Sequence, residues 1–135
     1  MVTGASADYF RSDNLGTPAE AGSFEHVTSL PQVSFAPGLT FRPLLGNGVL
    51  VNHVSFEPHT EAPTHAHVEE QIVVVLEGEF EFWVADDVRT LRRGDIVRVP
   101  AWVPHGARTR ESRCLELDIF CPPRSQLLEA LRPEG

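Results

Sequence analysis

Three residues in one short stretch of the sequence have the types and the spacing of metal ligands. His65 and His67 are separated by a single residue, and Gln71 follows four positions after His67. In an extended strand, side chains two residues apart point to the same face, so the two imidazoles would converge on one point. An unbroken strand would keep Gln71 on that face, where its amide oxygen can serve as a third ligand.

A histidine in a second stretch would complete this site. A glycine-containing turn precedes the apolar run Ile96–Val99, Pro100 ends that run, and His105 comes just beyond it. A lone histidine is usually structural or exposed, but a His-x-His pair with a further histidine after a second strand favours metal binding. The predicted ligands of one divalent metal ion are therefore His65, His67, Gln71 and His105.

Short apolar runs between turn residues indicate the strands that must position these ligands. The predicted strands are Val33–Phe35, Thr40–Leu45, Val49–Phe56, Gln71–Leu76, Phe80–Val84, Val88–Leu91, Ile96–Val99 and Cys114–Phe120. Glu77-Gly78 is predicted to be the turn of a hairpin. Ser125–Leu131 is predicted to form a short helix with Ser125 as its N-cap. Many short strands ending at prolines indicate an all-β barrel or jelly roll.

Length and composition restrict the classes of function. The 135 residues suit one domain, which we expect at residues 26–135, after a flexible N-terminal arm at residues 1–25. The net charge of −8 argues against nucleic acid or an anionic membrane as a partner. The sequence has no apparent signal peptide and no apolar run long enough to span a membrane, so we expect a cytoplasmic protein.

The basic residues and cysteines of the sequence constrain its chemistry. Every basic residue is arginine, which excludes catalysis through a lysine Schiff base and leaves a metal ion as the usual means of stabilising an enolate. Cys114 and Cys121 lack the spacing of a metal or redox motif, so we expect free thiols.

Two segments resemble the paired motifs of the cupin family. His65–Gly78 resembles the first cupin motif and Gly94–His105 the second, and with the connecting segment they cover about a third of the chain. The resemblance implies a double-stranded β-helix, or jelly-roll barrel, with a metal ion inside the barrel mouth. We also expect a homodimer, since small cupins usually pair.

The sequence departs from the cupin pattern at one ligand position. Counting back from Gly78, the usual glutamate is replaced by Gln71, and Glu69 and Glu70 are adjacent alternatives. Glu69 shares the strand phase of His67, whereas Glu70 does so only with a bulge. With Gln71 as ligand the donors are all neutral and leave the charge of the ion uncompensated. This favours zinc, with nickel, iron and manganese as alternatives.

Two groups of cupins that use a glutamine ligand are similar to this sequence. They are the zinc-dependent aromatic polyketide cyclases of the resistomycin type and the cupins that linearise unsaturated uronates. The stretch from Asp118 to Arg124 resembles an Asp-Ile-Phe-x-Pro-x-Arg stretch of the second group. The resemblance implies proton transfer by Asp118 and pocket positions for Phe120 and Arg124. Asp118 also fits a structural, hydrogen-bonded carboxylate.

Two further residues are weaker candidates. His53 is a second candidate catalytic group on the strand Val49–Phe56, although there it can equally line the barrel or face solvent. Trp102 lies between Pro100 and His105, where it can cover the pocket or simply pack at its rim.

These residues point first to metal-assisted carbonyl chemistry, with Asp118 removing a proton beside a polarised ketone. On a polyketide this gives aldol-type ring closure and loss of water, and on a uronate it gives ring opening or tautomerisation. A quercetinase-type dioxygenase and a non-enzymatic binding cupin are the alternatives. A deep aromatic pocket would favour the polyketide, and convergent arginines the uronate.

Overall fold

The computed structural model describes residues 4–11 and 16–131. The strands in these ranges are β1 (Val33–Ala36), β2 (Leu39–Leu45), β3 (Leu50–Phe56), β4 (Glu61–His65), β5 (Glu70–Val84), β6 (Asp87–Arg92), β7 (Ile96–Val99), β8 (His105–Arg108) and β9 (Cys114–Cys121). The helices are α1 (Gly4–Tyr9), a 3-10 turn at Val27–Ser29, and α2 (Ser125–Ala130). None of these helices is both long and apolar enough to cross a membrane.

The strands form one curled antiparallel sheet whose two halves meet at β5. The first half of β5 pairs with β7 on one side and with β9 on the other, and β9 continues to β3, β2 and β1. The second half of β5 pairs with β6 and β8, and β8 pairs with β4. This architecture confirms the predicted all-β cupin fold, with a short helix near the C-terminus.

The predicted hairpin at Glu77-Gly78 is wrong, because β5 runs through these residues without reversing. The register between β5 and β9 shifts between Val75 and Glu77, so the strand contains a bulge. Gly78 follows with a φ of 77°, and a Cβ on it would overlap the carbonyl oxygen of Arg113. Only glycine fits this bend, which carries β5 from one half of the sheet to the other.

The bulge also decides which side chains of β5 point inward. Before it, the buried residues are Gln71, Val73 and Val75, and after it they are Phe80 and Phe82. Since side chains alternate strictly in a regular strand, one extra residue moves the inward set from odd to even positions. The shift therefore turns both Gln71 and the two phenylalanines towards the same interior.

The C-terminal helix was predicted correctly, but its predicted cap was not. Arg124 occupies the N-cap position and Ser125 is already helical. The backbone N–H of Ser125 instead donates to Oε2 of the buried Glu69 at 3.1 Å. Leu127 packs on Leu50 and Phe120, which holds the helix against the barrel. A carboxylate from the β4–β5 loop thus satisfies an amide at the start of α2.

The N-terminal boundary stays a prediction. The helix α1 lies within the expected arm of residues 1–25, and Tyr9 and Phe10 at its end are exposed. Residues 16–26 form no helix or strand. Residues 1–3 and 12–15 of the expected arm lie outside the described residues.

Candidate metal centre

Three histidines meet at the mouth of the barrel. His65 is the last residue of β4 and His105 the first of β8, and the two are paired across these strands. His67 lies in the loop that follows β4. One ring nitrogen from each of the three lies within 4.8 Å of the others. The expectation of an unbroken strand from His65 to Gln71 is wrong, since β4 ends at His65 and β5 begins at Glu70. The site is assembled by strands from two halves of the sheet.

Backbone carbonyls fix the orientation of all three imidazoles. Each Nδ1 lies within hydrogen-bond distance of a carbonyl oxygen: that of Pro63 for His65 (2.7 Å), of Glu69 for His67 (2.9 Å) and of Val103 for His105 (2.9 Å). A carbonyl only accepts, so each Nδ1 must carry the proton. In the neutral rings, Nε2 then presents a lone pair, the arrangement found around metal-bound histidines.

Gln71, the predicted fourth ligand, lies beside two of these histidines. Its Oε1 lies 3.1 Å from Nε2 of His67 and 3.0 Å from Nε2 of His105. With Nδ1 protonated, each of these contacts brings together two lone pairs, which repel unless a cation lies between them. Three imidazole nitrogens and one amide oxygen are suitable donors for a divalent metal ion. The residues present therefore fit the metal that the cupin resemblance implies.

Burial favours the neutral form of the His67 and His105 imidazoles. It lowers the pKa of His105 to about 4, against an ordinary value near 6.5. Burial and the nearby Arg124 guanidinium also lower the pKa of His67. Because a metal ion binds only the unprotonated ring, this environment favours metal binding at neutral pH.

The two glutamates that precede Gln71 in the sequence, Glu69 and Glu70, have different surroundings. Glu69 is buried on the far side of the His67 ring, with Oε1 3.6 Å from Nδ1. The carboxylate of Glu70 is exposed and pairs with Arg98 at 3.1 Å. Of the three side chains considered for the fourth ligand, only Gln71 faces the histidines.

A pair of carboxyl groups stands behind Gln71. Its Nε2 donates to Oδ1 of Asp118 at 3.0 Å, which turns Oε1 towards the histidines. Asp118 is in turn hydrogen-bonded to Glu116, which lies two residues earlier on the same face of β9. Burial raises the pKa of both groups, and that of Glu116 is raised well above its usual range by burial and by Asp118. Burial and the neighbouring carboxyl of Asp118 therefore favour the protonated form of Glu116.

These groups open into a cavity of about 350 Å³. Its aromatic lining consists of Phe35, Phe41, Phe56, Phe80, Phe82 and Phe120. Its polar lining includes His65, His105, Gln71, Asn52, Glu116, Asp118 and Arg124. Phe120 also lies edge-on to His67, with 5.7 Å between ring centroids. The candidate metal centre thus lies in the wall of a mainly apolar cavity in which phenylalanines are prominent.

Comparison with known proteins identifies the family. The cupin domain family Cupin_2 matches residues 52–120, slightly more than half of the chain. The chain belongs to the cupin family. The match begins in β3 and ends in β9, so it includes every predicted metal ligand.

Solved cupin structures are similar to this cupin over most of its length. KdgF from Halomonas sp. is 27% identical with a TM-score of 0.74, covering 79% of this chain and 99% of that one. An RmlC-like cupin from Shewanella frigidimarina is 27% identical with a TM-score of 0.73, covering 79% and 96%. The polyketide cyclase RemF from Streptomyces resistomycificus is 22% identical with a TM-score of 0.67, covering 75% and 80%. These neighbours share the cupin fold with this chain and do not decide an activity.

The structure brings Asp118, Phe120 and Arg124 to the cavity but not the other two sequence candidates. His53 alternates with the buried Asn52 and Val54 and is absent from the cavity wall. Its pKa is lowered by partial burial and by Arg42, on the outer face of the sheet. Trp102 is 65% exposed and also lies outside the cavity, although its backbone N–H donates to the carbonyl of His67.

Two cavity residues, Asn52 and Glu116, were missed from the sequence. Both are polar residues within apolar strands, in phase with the inward residues Val54 and Asp118. For Glu116 this phase was already visible in the sequence, where Asp118 and Phe120, on the same strand, were assigned to one face. A buried polar residue on the inward face of a strand is an informative signal, since such groups are rare without a function or a partner.

Proposed function

We propose that this cupin is a metal-dependent polyketide cyclase, which closes a ring in an aromatic polyketide intermediate by aldol-type addition and loss of water. The observation that carries the proposal is the juxtaposition of the ligands with a buried carboxyl pair in a phenylalanine-rich cavity. The flat aromatic ring that forms from a poly-β-ketone suits such walls, which would also exclude water from the reacting groups.

The ligand set would hold one divalent ion, and we propose zinc because all four donors are neutral. When bound, such an ion supplies a Lewis acid that polarises a carbonyl oxygen. Asp118 would remove a proton from the carbon beside that carbonyl, and the electron pair released would form the new carbon–carbon bond. Burial raises the pKa of Asp118, which makes it a stronger base than an exposed carboxylate. The bond would form to a second carbonyl carbon of the chain, whose C=O π pair moves to its oxygen, and that oxygen would take the proton from Asp118 to become a hydroxyl. Asp118 would then remove the second proton from the attacking carbon while Glu116 protonates the hydroxyl, which leaves as water. The proton now on Asp118 would restore Glu116 through the contact between the two carboxyl groups.

A second candidate function is favoured by one residue. Arg124 lines the cavity, and within the described residues its guanidinium lies 3.8 Å from the carboxylate of Glu69 and donates to Oε1 of Gln126 at 2.7 Å. A guanidinium in such a position can bind a carboxylate substrate. An unsaturated uronate that is ring-opened or tautomerised would use the same metal and the same base. One cavity arginine among many phenylalanines makes this the second choice.

Substrate turnover tests the two functions against each other. Metal-loaded protein would be incubated separately with a poly-β-ketone thioester and with an unsaturated uronate, and products followed by mass spectrometry and absorbance. We expect the polyketone to lose one water molecule per ring closed. Asp118→Asn should slow this about 10²- to 10⁴-fold, whereas His53→Ala should not. Turnover of the uronate alone would favour the second candidate.

We also propose that the protein is a homodimer. The exposed apolar side chains of Phe35, Leu44, Leu45 and Val49 lie on β1 and around the β2–β3 connection. Exposed apolar groups that cluster in this way are typical of protein interfaces. Light scattering should give twice the chain mass, and a monomer mass would contradict the proposal.

A further inference from the structure

Two buried oxygen atoms in the cavity wall lack hydrogen-bond partners within the described residues. They are Oδ1 of Asn52 and Oε2 of Glu116. The two residues are only 1% and 3% exposed. Burying a polar atom without a partner costs free energy, so an unpaired buried group in a native fold calls for an explanation.

The sheet register places these two residues next to each other. Asn52 lies opposite Asp118 in the β3–β9 pair, and Val54 lies opposite Glu116. Asn52 and Glu116 are therefore diagonal neighbours on the inward face, a relation in which Cα atoms are about 7–8 Å apart. Both residues line the cavity that the metal ligands also face. The two residues that carry the unpaired oxygens thus belong to one section of its wall.

Both atoms are hydrogen-bond acceptors. The amide oxygen of Asn52 can only accept. Oε2 of Glu116 can accept a hydrogen bond whether the carboxyl is ionised or protonated, and no described residue donates to it. Asp118 meanwhile receives a second hydrogen bond from Gln71. Neither the amide oxygen of Asn52 nor Oε2 of Glu116 is paired with a donor from the described residues.

We propose that Asn52 and Glu116 form a subsite that binds a hydroxyl group of the substrate. The inference rests on the proposed function and deepens it: the aromatic or polyketone substrate carries an enol, phenol or alcohol on the side that contacts β3 and β9. A hydroxyl suits the site because it is a neutral donor in a mainly apolar cavity. A cationic donor would have to lose its hydration beside the half-buried Arg124 guanidinium.

Specificity follows from the unpaired acceptors. A ligand with a hydroxyl at this position would satisfy them, whereas its analogue without the hydroxyl would leave them unpaired in a closed cavity. Sites built to hydrogen-bond a substrate hydroxyl discriminate strongly against analogues that lack it.

Binding of 2-naphthol and of naphthalene to the metal-loaded protein tests the subsite. Isothermal titration calorimetry would give the ratio of the two affinities for the wild type and for Asn52→Leu. We expect the wild type to prefer 2-naphthol and the substitution to reduce the ratio about tenfold. The Tm of Asn52→Leu should be unchanged or higher, because the substitution removes an unpaired buried acceptor. A merely structural asparagine would instead lower Tm and leave the ratio unchanged.

Two substitutions at Glu116 provide a matched pair. Glu116→Gln keeps a neutral acceptor and a donor to Asp118, so it should retain the preference for 2-naphthol. Glu116→Leu removes the acceptor and should reduce the preference. An unchanged ratio in both Asn52→Leu and Glu116→Leu, or a wild type without any preference for 2-naphthol, would overturn the inference.

The same measurements separate this inference from the proposed function. Failure of ring closure with the affinity ratio intact would count against the cyclase alone. Ring closure without discrimination between the two ligands would count against the subsite alone.

Discussion

The contact between Gln71 and Asp118 makes one substitution especially informative. Gln71→Glu replaces the amide nitrogen that lies 3.0 Å from Oδ1 of Asp118 with a carboxylate oxygen. Two unit charges at this distance repel by about 5 kcal/mol at an effective dielectric constant of about 20. Binding a proton is the cheaper alternative, because protonating a carboxyl of ordinary pKa about 4.3 at pH 7 costs about 4 kcal/mol.

The metal-free variant should therefore lose about 4 kcal/mol of unfolding free energy at pH 7, and about 1.4 kcal/mol less for each pH unit below that. The direction of this pH dependence follows from the raised pKa of the introduced carboxyl in the folded state. The folded state holds a proton that the unfolded state releases, so stability is retained below about pH 4.3 and is lost as the pH rises.

Urea unfolding of metal-free wild type, Gln71→Glu and Gln71→Met between pH 5 and pH 8 measures this effect. Gln71→Met removes the same hydrogen bond without adding a charge, so it should cost about 1–2 kcal/mol at every pH. The two variants should diverge steadily as the pH rises. A constant difference between them would refute the close contact of Gln71 with Asp118.

Two further predictions concern the carboxyl pair and the bulge. The pKa of Glu116 is raised in the folded state, so its contribution to stability falls as the pH rises above the pKa of this carboxyl in the unfolded chain. The Tm of Glu116→Gln relative to wild type should therefore increase from pH 5 to pH 8. A relative Tm that decreases over this range would contradict the raised pKa. In urea titration, Gly78→Ala should lower the unfolding free energy more than Gly94→Ala does. Both glycines have positive φ, which costs about 1–2 kcal/mol for alanine at either position. At Gly78 alone of the two, the added Cβ would also overlap a carbonyl oxygen, that of Arg113. Equal losses would contradict this.

The metal ligands could be predicted from the sequence because their chemistry depends on residue type and spacing. His65, His67 and His105 do meet in the structure, although the reason given for Gln71 was wrong. The chain bends between β4 and β5, and Gln71 reaches the histidines from a different half of the sheet. The spacing of the predicted ligands is compatible with a continuous strand and with a chain that bends between β4 and β5, so spacing alone could not decide the local structure.

The bulge in β5 could not be read from the sequence. Glu77-Gly78 has the composition of a turn, and glycine with positive φ is common to both turns and bulges. What selects the bulge is the long-range approach of Arg113 and the pairing with β9. A strand that changes partners half-way depends on contacts distant in sequence, and local patterns do not record them.

The alternation of side chains along a strand explains which of the other site residues could be predicted. Alternation correctly predicted that Asp118 and Phe120 share a face, and both line the cavity. The same alternation left His53 undecided, because the sequence does not say which face of β3 points inward. Asn52 and Val54 turned out to be the inward residues, which directs His53 outwards.

Metal content measured by elemental analysis is the most direct test of the central claim. Purified wild-type protein, dialysed after loading with zinc, should retain about one metal ion per chain, and His105→Ala should lose it. The matched control His53→Ala should retain the metal, because His53 lies on the outer face of β3. A wild type that retains no divalent metal, or a His105→Ala variant that binds as much as wild type, would contradict the assigned site.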